Sequence, residues 1–357
     1  MALALCATAS NVGKNWGVER SSYSDPVTGL RVVEITRAAA GITDNMYFVF
    51  PNFTADNRYL LFVSERAGSM QLFRMTMDSG EIVQLTDDPA VDARTACPDR
   101  RDARIIYYLR GQDVMRMDVI SFEARKIAAI PGPSLGDYSQ LTQSGDGRYL
   151  TTSKQRDQHN WEIGVIDLND GSYKTVLTQG FRIAHIQHSP VAPVLFYIWE
   201  TNTYNPQHTW FVNRDGSGNR PLYYATDPAK WITPLKEWVM HETFIPATGE
   251  MTFVMDRIGL MIVKPDGSAR LVAGGSFWHC APSPDGSKIV ADDQQGRIWL
   301  ADVNTGNLRL LATGFQDKVK GLHAHPSFDR TGRWVVFHSG RSHETVALID
   351  LDQIGKN

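Results

Sequence analysis

The chain has 357 residues, of which 42% are hydrophobic and 21% are charged, and its formal net charge is −3. This composition is typical of a globular protein with a substantial core, and a slightly negative chain without a basic stripe argues against nucleic-acid binding. No apolar run reaches the length of a membrane span, and three widely separated cysteines (Cys6, Cys97 and Cys280) predict no disulfide framework.

The first segment, 1–20, begins with MALALCATAS, an apolar stretch that ends in small residues. It lacks the basic start of a secretory signal peptide, so it is either a residual part of such a signal or a flexible terminus. These two interpretations leave the compartment open between cytoplasm and periplasm. We expect the folded domain to cover 21–357.

One pattern then recurs along the chain: a turn with Asp, Asn or Gly, an apolar β-run, a second short strand and a third strand. Seven copies begin at Asn52, Ala103, Leu141, His188, Thr243, Pro282 and Pro326. A spacing of roughly 40 to 55 residues is typical of propeller blades. The sequence therefore predicts an all-β fold, a single seven-bladed β-propeller. A β-sandwich or two smaller β domains is the alternative.

Two segments fall outside this repeat. Gly29–Arg37 (GLRVVEITR) has the pattern of one strand, which we expect to complete the last blade and close the ring, so that exposed sheet edges are removed. The copy from His188 contains an insertion, ATDPAKWITPLKEW, for which we expect a short helix or a lid over one face. The outermost strand of each blade is expected to be the weakest in sequence.

Histidines recur at one position, immediately before the first strand of four successive copies. They are His185, His241, His279 and His323, and His325 follows two residues after the last of them. Residues i and i+2 of an extended segment point to the same side, and inner strands of a propeller converge on its channel. We therefore expect five imidazoles at one mouth. Such a cluster suits a divalent transition metal such as Mn, Fe, Ni or Zn, although a single histidine is more often a satisfied polar residue. His338 and His343 are interpreted as surface residues.

Five stretches of the sequence carry a family likeness: NMYFVFPNFTADNRYLLF (45–62), HTWFVNRDGSGNRPLY (208–223), WVMHETFIP (238–246), FWHCAPSPDGSKIVADD (277–293) and HAHPSF (323–328). With these stretches, the sequence resembles the oligogalacturonate lyases, family 22 of the polysaccharide lyases, over most of the chain from about Ser21. The histidine doublet before Pro-Ser-Phe is the most specific of these. The resemblance implies a seven-bladed propeller with a manganese-type ion at one end of the channel.

The resemblance also implies the ligands of that ion. They are His279, His323 and His325, with Mn as the expected divalent metal. Where the family has a further ligand, a Gln, this chain has Lys320. A protonated Lys cannot ligate a metal, so the fourth ligand is left open between water, Gln316 and another residue.

Cleavage by β-elimination is the reaction that the resemblance implies. The metal binds a uronate carboxylate, a base removes the C5 proton, and the product carries a 4,5-double bond. His208 stands where the family has its proposed base, an Arg, and an imidazole titrates near working pH without special tuning. His241, which matches the family's histidine of a His-Glu pair, is the other candidate base, or it hydrogen-bonds the sugar.

Further residues are candidates for substrate binding. His185 matches a family histidine that precedes the fourth blade, and Tyr47 and Tyr204 would supply a proton to the leaving oxygen. Three cations are candidates to pair with carboxylates of further uronate units, or they are simply surface charge: Arg182, Lys154 and Lys320.

The sequence thus predicts a metal-dependent lyase that cleaves uronic-acid oligosaccharides, oligogalacturonate above all, in pectin degradation. Because Lys320 and His208 depart from the family where it does its chemistry, a lyase for another uronide, such as a rhamnose- and glucuronate-containing oligosaccharide, is an alternative. A non-catalytic propeller that binds proteins or sugars, or a metal-dependent hydrolase, is a further one. No nucleic acid or membrane is expected as a partner, and the oligomeric state stays open.

Overall fold

The computed structural model describes residues 10–132, 134–136, 138–201, 208–223, 238–315 and 323–354. Thirty strands in these ranges form seven antiparallel sheets, and the innermost strands of neighbouring sheets pack against one another around a central channel. The seven-bladed β-propeller predicted from the seven copies is confirmed. No helix in this part of the chain is long and apolar enough to cross a membrane.

The strands run in chain order as follows. Three precede the first inner strand: β1 (Asn15–Val18), β2 (Ser21–Ser24) and β3 (Arg31–Glu34). Blade 1 is built on β4 (Thr43–Asn45), β5 (Tyr59–Ser64), β6 (Gln71–Thr76) and β7 (Glu81–Gln84). Blade 2 comprises β8 (Val91–Pro98), β9 (Ile105–Arg110), β10 (Asp113–Asp118) and β11 (Ala124–Ala129). Blade 3 comprises β12 (Thr142–Gln143), β13 (Tyr149–Gln155), β14 (Trp161–Asp167) and β15 (Tyr173–Gln179).

The remaining blades repeat this arrangement. Blade 4 comprises β16 (Ile183–His188), β17 (Val194–Trp199), β18 (Thr209–Asn213) and β19 (Arg220–Pro221). Blade 5 comprises β20 (Val239–Phe244), β21 (Met251–Met255), β22 (Gly259–Val263) and β23 (Ala269–Gly274). Blade 6 comprises β24 (Cys280–Pro282), β25 (Lys288–Asp292), β26 (Arg297–Asp302) and β27 (Leu308–Thr313). Blade 7 is built on β28 (Ser327–Phe328), β29 (Trp334–Ser339) and β30 (Thr345–Asp350). Within the described ranges, two short 3-10 helices occupy Ala38–Ala40 and Leu351–Gln353.

The apolar strand that comes first in each copy of the repeat is the second strand of its blade, counted from the channel. This placement corrects the expectation that the outermost strand of each blade has the weakest sequence signal. The apolar runs, such as β5 and β25, lie one position out from the channel, and the third strand of a copy, such as β7 or β27, is the fourth strand of the blade. The strand with the weakest sequence signal is therefore the innermost one, not the outermost. It is short in several blades, with two residues in β12 and β28 and three in β24, so it cannot show a clear alternation.

The ring closes through the N-terminal part of the chain, as the sequence predicted. β3 pairs antiparallel with β30, with Val32 opposite Ile349, and β2 adds a further strand outside β3. Val32 and Ile349 are fully buried, and each such aliphatic side chain contributes about 1.5–3 kcal/mol when it leaves water. The last blade thus holds both ends of the propeller together, with β2 as its outermost strand.

The segment 1–20, expected as flexible or residual signal sequence, contains a strand. β1 pairs with β7 on the outside of blade 1, with Asn15 opposite Val83, and Nζ of Lys14 lies 3.9 Å from the ring centroid of Trp16. The described part of this segment is therefore attached to the propeller. The insertion ATDPAKWITPLKEW falls, except for Trp238, outside the described residues.

Candidate active site

Five histidines lie together at one mouth of the channel, at the beginning of four successive inner strands. His185 and His241 lie within β16 and β20, His279 directly precedes β24, and His323 and His325 precede β28. Ring centroids are 6.3 Å apart for His185 and His241, 4.1 Å for His241 and His279, and 4.4 Å for His279 and His325. His323 is 5.4 Å from His279 and 5.6 Å from His325. The five histidines that the sequence predicted to lie at one mouth are therefore neighbours in the structure.

The backbone directs three of these rings inward through an uncommon conformation. His185, His241 and His325 have φ values of 48°, 57° and 43°, in the left-handed region that non-glycine residues rarely adopt. In β16 and β20 the strand register shifts on either side of the histidine, which marks a β-bulge. A bulge re-aims a side chain relative to regular alternation, and such strain clusters at functional sites.

The innermost rings are neutral imidazoles with one nitrogen already oriented. Burial, reinforced by the neighbouring imidazoles, lowers the pKa of His241, His279 and His325 well below the ordinary value. Nδ1 of His279 donates to the carboxylate of Asp292 (3.0 Å), and Nδ1 of His241 donates to the carbonyl oxygen of Trp278. Each of these two bonds leaves Nε2 with its lone pair.

A second group of side chains at the same mouth centres on Glu242, a buried carboxylate. Nδ1 of His185 donates to Oε2 of Glu242 (3.2 Å), and Nε2 of His208 forms an ion pair with Oε1 at 3.1 Å. The hydroxyl of Tyr47 lies 3.0 Å from Nε2 of His185. When His185 is neutral, its Nε2 accepts the hydrogen of Tyr47, so Tyr47, His185, Glu242 and His208 form one connected chain.

The surroundings of His208 favour its doubly protonated, charged form. Its Nδ1 donates to the carbonyl oxygen of Trp199 (3.1 Å), and its Nε2 faces the carboxylate of Glu242. Acceptors lie near both nitrogens, which favours the imidazolium form. Burial lowers the pKa of His208, but the charge of Glu242 offsets this effect and the pKa lies above the ordinary value. The two partners also hold the pKa of Glu242 far below its usual range against the effect of burial.

The donor types at this mouth fit a divalent metal of the Mn or Zn kind. Neutral imidazoles ligate such ions through one nitrogen, and the other nitrogen is normally held by a carboxylate or carbonyl, as in the bonds of His279 to Asp292 and His241 to Trp278. As placed, however, no three His, Cys, Asp or Glu side chains of the described residues form a ligand set.

The predicted substrate residues divide into two groups. Tyr47 lies within the cluster, with its ring 4.7 Å from that of His325, and Arg182 is exposed directly before β16. Lys154 is only 3% exposed, and its ammonium group donates to the carbonyl oxygens of Pro131 and Gly132. It therefore lies inside blade 3, not in the cluster. Lys320, Gln316 and Tyr204 lie outside the described residues.

Two acidic partners of the cluster were not predicted from the sequence. Glu242 and Asp292 stand within the stretches that carry the family resemblance, but nothing in their spacing shows that each orients a histidine from another strand. The interpretation of His338 as a surface residue is wrong. Its ring is 2% exposed, with Nε2 2.6 Å from Glu344 and Nδ1 3.2 Å from Asp44. Burial opposes its charge, but the two carboxylates raise its pKa.

Two known lyases have sequences similar to this chain. An oligogalacturonate lyase of Dickeya dadantii is 23% identical over 261 residues, which cover 68% of this chain and 65% of the relative. An oligogalacturonide lyase of Pectobacterium atrosepticum is 21% identical over 370 residues, which cover 89% of this chain and 92% of the relative. No family model matches the chain.

Solved structures of similar proteins support the fold. An oligogalacturonate lyase from Vibrio parahaemolyticus superposes with a TM-score of 0.83 at 18% identity, over 95% of this chain and 98% of that one. An oligogalacturonate lyase in complex with manganese has a TM-score of 0.85 at 18% identity, with the same coverage. The resemblance inferred from the sequence is confirmed, in that the chain is similar to oligogalacturonate lyases in sequence at low identity and in fold.

Proposed function

We propose that this protein is a metal-dependent lyase that cleaves uronic-acid oligosaccharides, oligogalacturonate above all, by β-elimination to 4,5-unsaturated products. The observation that carries the proposal is the cluster of three buried neutral imidazoles, His241, His279 and His325. The ring centroid of His279 lies 4.1 Å from that of His241 and 4.4 Å from that of His325. A mouth that only binds proteins has no need of such a cluster. The names of the relatives point to the same reaction.

His279, His323 and His325 would hold the divalent metal, with Mn as the expected ion. When bound, the ion would neutralise the uronate carboxylate and so stabilise the charge that develops as the C5 proton leaves. The carboxylate of Asp292 orients His279 for this task by fixing Nδ1 and leaving Nε2 available. A manganese complex of a structurally similar lyase supports the choice of metal.

His241 is the better candidate for the base. Its Nδ1 donates a hydrogen bond to the carbonyl oxygen of Trp278, so Nε2 has a lone pair that can accept the C5 proton. His208, the other candidate, has both nitrogens directed at acceptors and carries a positive charge. Its charge is already paired with Glu242, which leaves Arg182 as the candidate to attract a carboxylate of the substrate.

Tyr47 would donate a proton to the leaving oxygen when the bond at C4 breaks. Burial, together with nearby Glu242, raises the pKa of Tyr47 well above the ordinary value, so the hydroxyl keeps its proton until a developing alkoxide takes it. His185, held by Glu242, positions that hydroxyl at 3.0 Å. The bond changes then balance: the C5–H and C4–O bonds break, and a double bond forms between C4 and C5.

A lyase for another uronide is the second candidate. The ion pair of His208 with Glu242 stands where the family resemblance leads one to expect an Arg, so the contacts with the sugar differ in this protein. A glucuronate- and rhamnose-containing oligosaccharide offers the same C5–H and C4–O bonds for elimination.

Paired variants test the proposal. His325→Ala should lose both metal retention, measured by elemental analysis, and formation of the unsaturated product, measured by ultraviolet absorbance, with an unchanged β-sheet circular dichroism spectrum. His159→Ala, which removes an exposed imidazole from blade 3, is the matched control and should retain both. His325→Ala protein that keeps stoichiometric metal and activity would show that the site lies elsewhere.

A further inference from the structure

A second polar site lies farther along the channel, separated from the histidine cluster by Phe48. The ring of Phe48 contacts His241, His279 and His325 at centroid distances of 5.8, 5.4 and 6.1 Å. Phe48 also lines a cavity of about 290 Å³ that is enclosed by later residues of the inner strands. A cavity of this volume is at the lower end of the range for small-ligand sites, roughly 300 Å³ and above.

Two guanidinium groups line this cavity, and neither forms an ion pair with a described carboxylate. Nε of Arg330 donates to the carbonyl oxygen of Phe53 (3.3 Å), whereas its Nη2 is buried without a partner. Nε of Arg100 donates to the carbonyl oxygen of Gln143 (2.9 Å). Burial, together with the positive charge of Arg100, lowers the pKa of Arg330 to about 10. Two largely buried cations thus line one cavity, which is costly unless anions offset their charge.

The nearby carboxylates are already occupied. Asp329 is the one acidic residue among those that line the cavity. Its oxygens accept hydrogen bonds from Asn57, Thr331 and the backbone of Arg333. Asp99, next to Arg100, accepts from Tyr107, Gln143 and two backbone N–H groups. The charge of Asp99 partly offsets the effect of burial on the pKa of both guanidinium groups, but no described carboxylate forms an ion pair with either of them.

His188 contributes a buried hydrogen-bond acceptor without a partner to the same cavity. It lines the same cavity and is 2% exposed. Nδ1 donates to the carbonyl oxygen of Ser189 (3.1 Å), which leaves Nε2 as a buried lone pair without a partner. Burial and the positive charges of Arg214 and Arg100 lower its pKa to about 4, although Asp146 acts in the opposite sense, so the ring is neutral at pH 7. A neutral Nε2 needs a hydrogen-bond donor.

We propose that this cavity binds a small oxoanion that also carries a hydroxyl hydrogen, with Arg100 and Arg330 on its oxygens and Nε2 of His188 accepting from its O–H. Monohydrogen phosphate and a hydroxy acid such as a monomeric uronate share this chemistry. Sulfate has the same charge and shape as phosphate but no hydrogen to donate at pH 7. The site is independent of the proposed lyase chemistry, because none of these three residues belongs to the histidine cluster.

Isothermal titration calorimetry of the full chain tests the proposal, with phosphate, sulfate and galacturonate compared at constant ionic strength in chloride. Phosphate should bind at least about tenfold more tightly than sulfate, since sulfate leaves His188 unpaired. Galacturonate that binds more tightly than phosphate would identify a uronate as the natural ligand, and the reverse result would identify phosphate. Failure of all three to bind at millimolar concentration would overturn the proposal.

Variants locate the binding. Arg330→Met should weaken phosphate binding by roughly tenfold or more, whereas Arg125→Met, the same change at an exposed residue of β11, should leave it unchanged. His188→Gln should abolish the preference for phosphate over sulfate. If Arg330→Met does not fold, Arg330→Lys retains the charge but loses the planar fork, and the same loss of affinity is expected. Equal phosphate affinity in the Arg330 and Arg125 variants would place binding outside this cavity.

Discussion

Replacement of Glu242 by Gln is the perturbation that most sharply tests the polar chain at the histidine mouth. The carboxylate is 1% exposed and lies within 3.2 Å of His185 and 3.1 Å of His208. Gln has the same shape but no charge, so the variant leaves the imidazolium of His208 buried without its counter-ion. Because the cost comes from an uncompensated charge and not from a cavity, it depends on the protonation of His208.

The expected loss of unfolding free energy is about 3–5 kcal/mol, the range for removal of one partner from a buried ion pair. The sign of the pH dependence follows from the two shifts. The pKa of His208 is raised, so the pair stabilises the protein at low pH and this contribution is lost as pH rises through the folded pKa of His208. The pKa of Glu242 is lowered, so the contribution is also lost when pH falls through its folded pKa.

The assay is a double-mutant cycle with Glu242→Gln, His208→Asn and the double variant, measured by urea unfolding. At about pH 6, the two single changes should be coupled by about 1.5–3 kcal/mol, as for a hydrogen bond to a charged group. At about pH 9, where His208 is closer to neutral, the coupling should decrease. Glu65→Gln, a change at an exposed carboxylate, is the control and should lie within about 0.5 kcal/mol of the wild type.

Two results would refute this reasoning. A Glu242→Gln protein as stable as the Glu65→Gln control would mean that the carboxylate does not neutralise a buried charge. Coupling that is equal at both pH values would mean that the contact between His208 and Glu242 is not ionic.

Three further predictions concern the metal, a buried imidazole and the ring closure. Asp292→Asn should lower metal affinity by about 10- to 100-fold, measured by competition with a chelator, because it weakens the orientation of His279; an unchanged affinity would contradict that role. His188, whose pKa falls to about 4, should cost the wild type about 3 kcal/mol of stability as pH drops from 6.5 towards 4, and His188→Gln should abolish this slope in urea unfolding. Ile35→Ala, at a fully buried residue beside the closing strand, should cost about 2–5 kcal/mol, whereas Val27→Ala, at a residue 68% exposed, should cost little; equal losses would argue against closure through this segment.

The fold could be predicted from the sequence because its second, third and fourth strands carry strong local signals. Apolar runs such as Tyr59–Ser64 and Trp334–Ser339 alternate with Asp- and Gly-containing turns, and both hydrophobic burial and turn chemistry act on near neighbours. The innermost strands were misplaced because β12 and β28 have two residues each, too few for a period. The strand Asn15–Val18 was missed because its partner, β7, is more than 60 residues away in the chain.

The candidate site was predictable in position but not in detail. A repeated offset of His185, His241 and His279 was enough to bring their side chains together, because the propeller repeats the backbone position in each blade. The protonation states were not predictable, since they depend on contacts between blades. Glu242 and His208, for example, come from neighbouring blades. The bulges that turn the rings inward have no sequence signature, because neither contains a glycine at the strained position.

The most direct test of the account is ultraviolet absorbance of the unsaturated product, with purified wild-type protein and di- and trigalacturonate, each with added Mn and with a chelator. The account predicts absorbance that grows with time in Mn and stops in chelator. Absorbance only on a glucuronate-containing oligosaccharide would support β-elimination but would show that the substrate is another uronide. No absorbance on any uronide, from protein that binds no metal, would contradict the central claim and favour a propeller that binds its partner without chemistry.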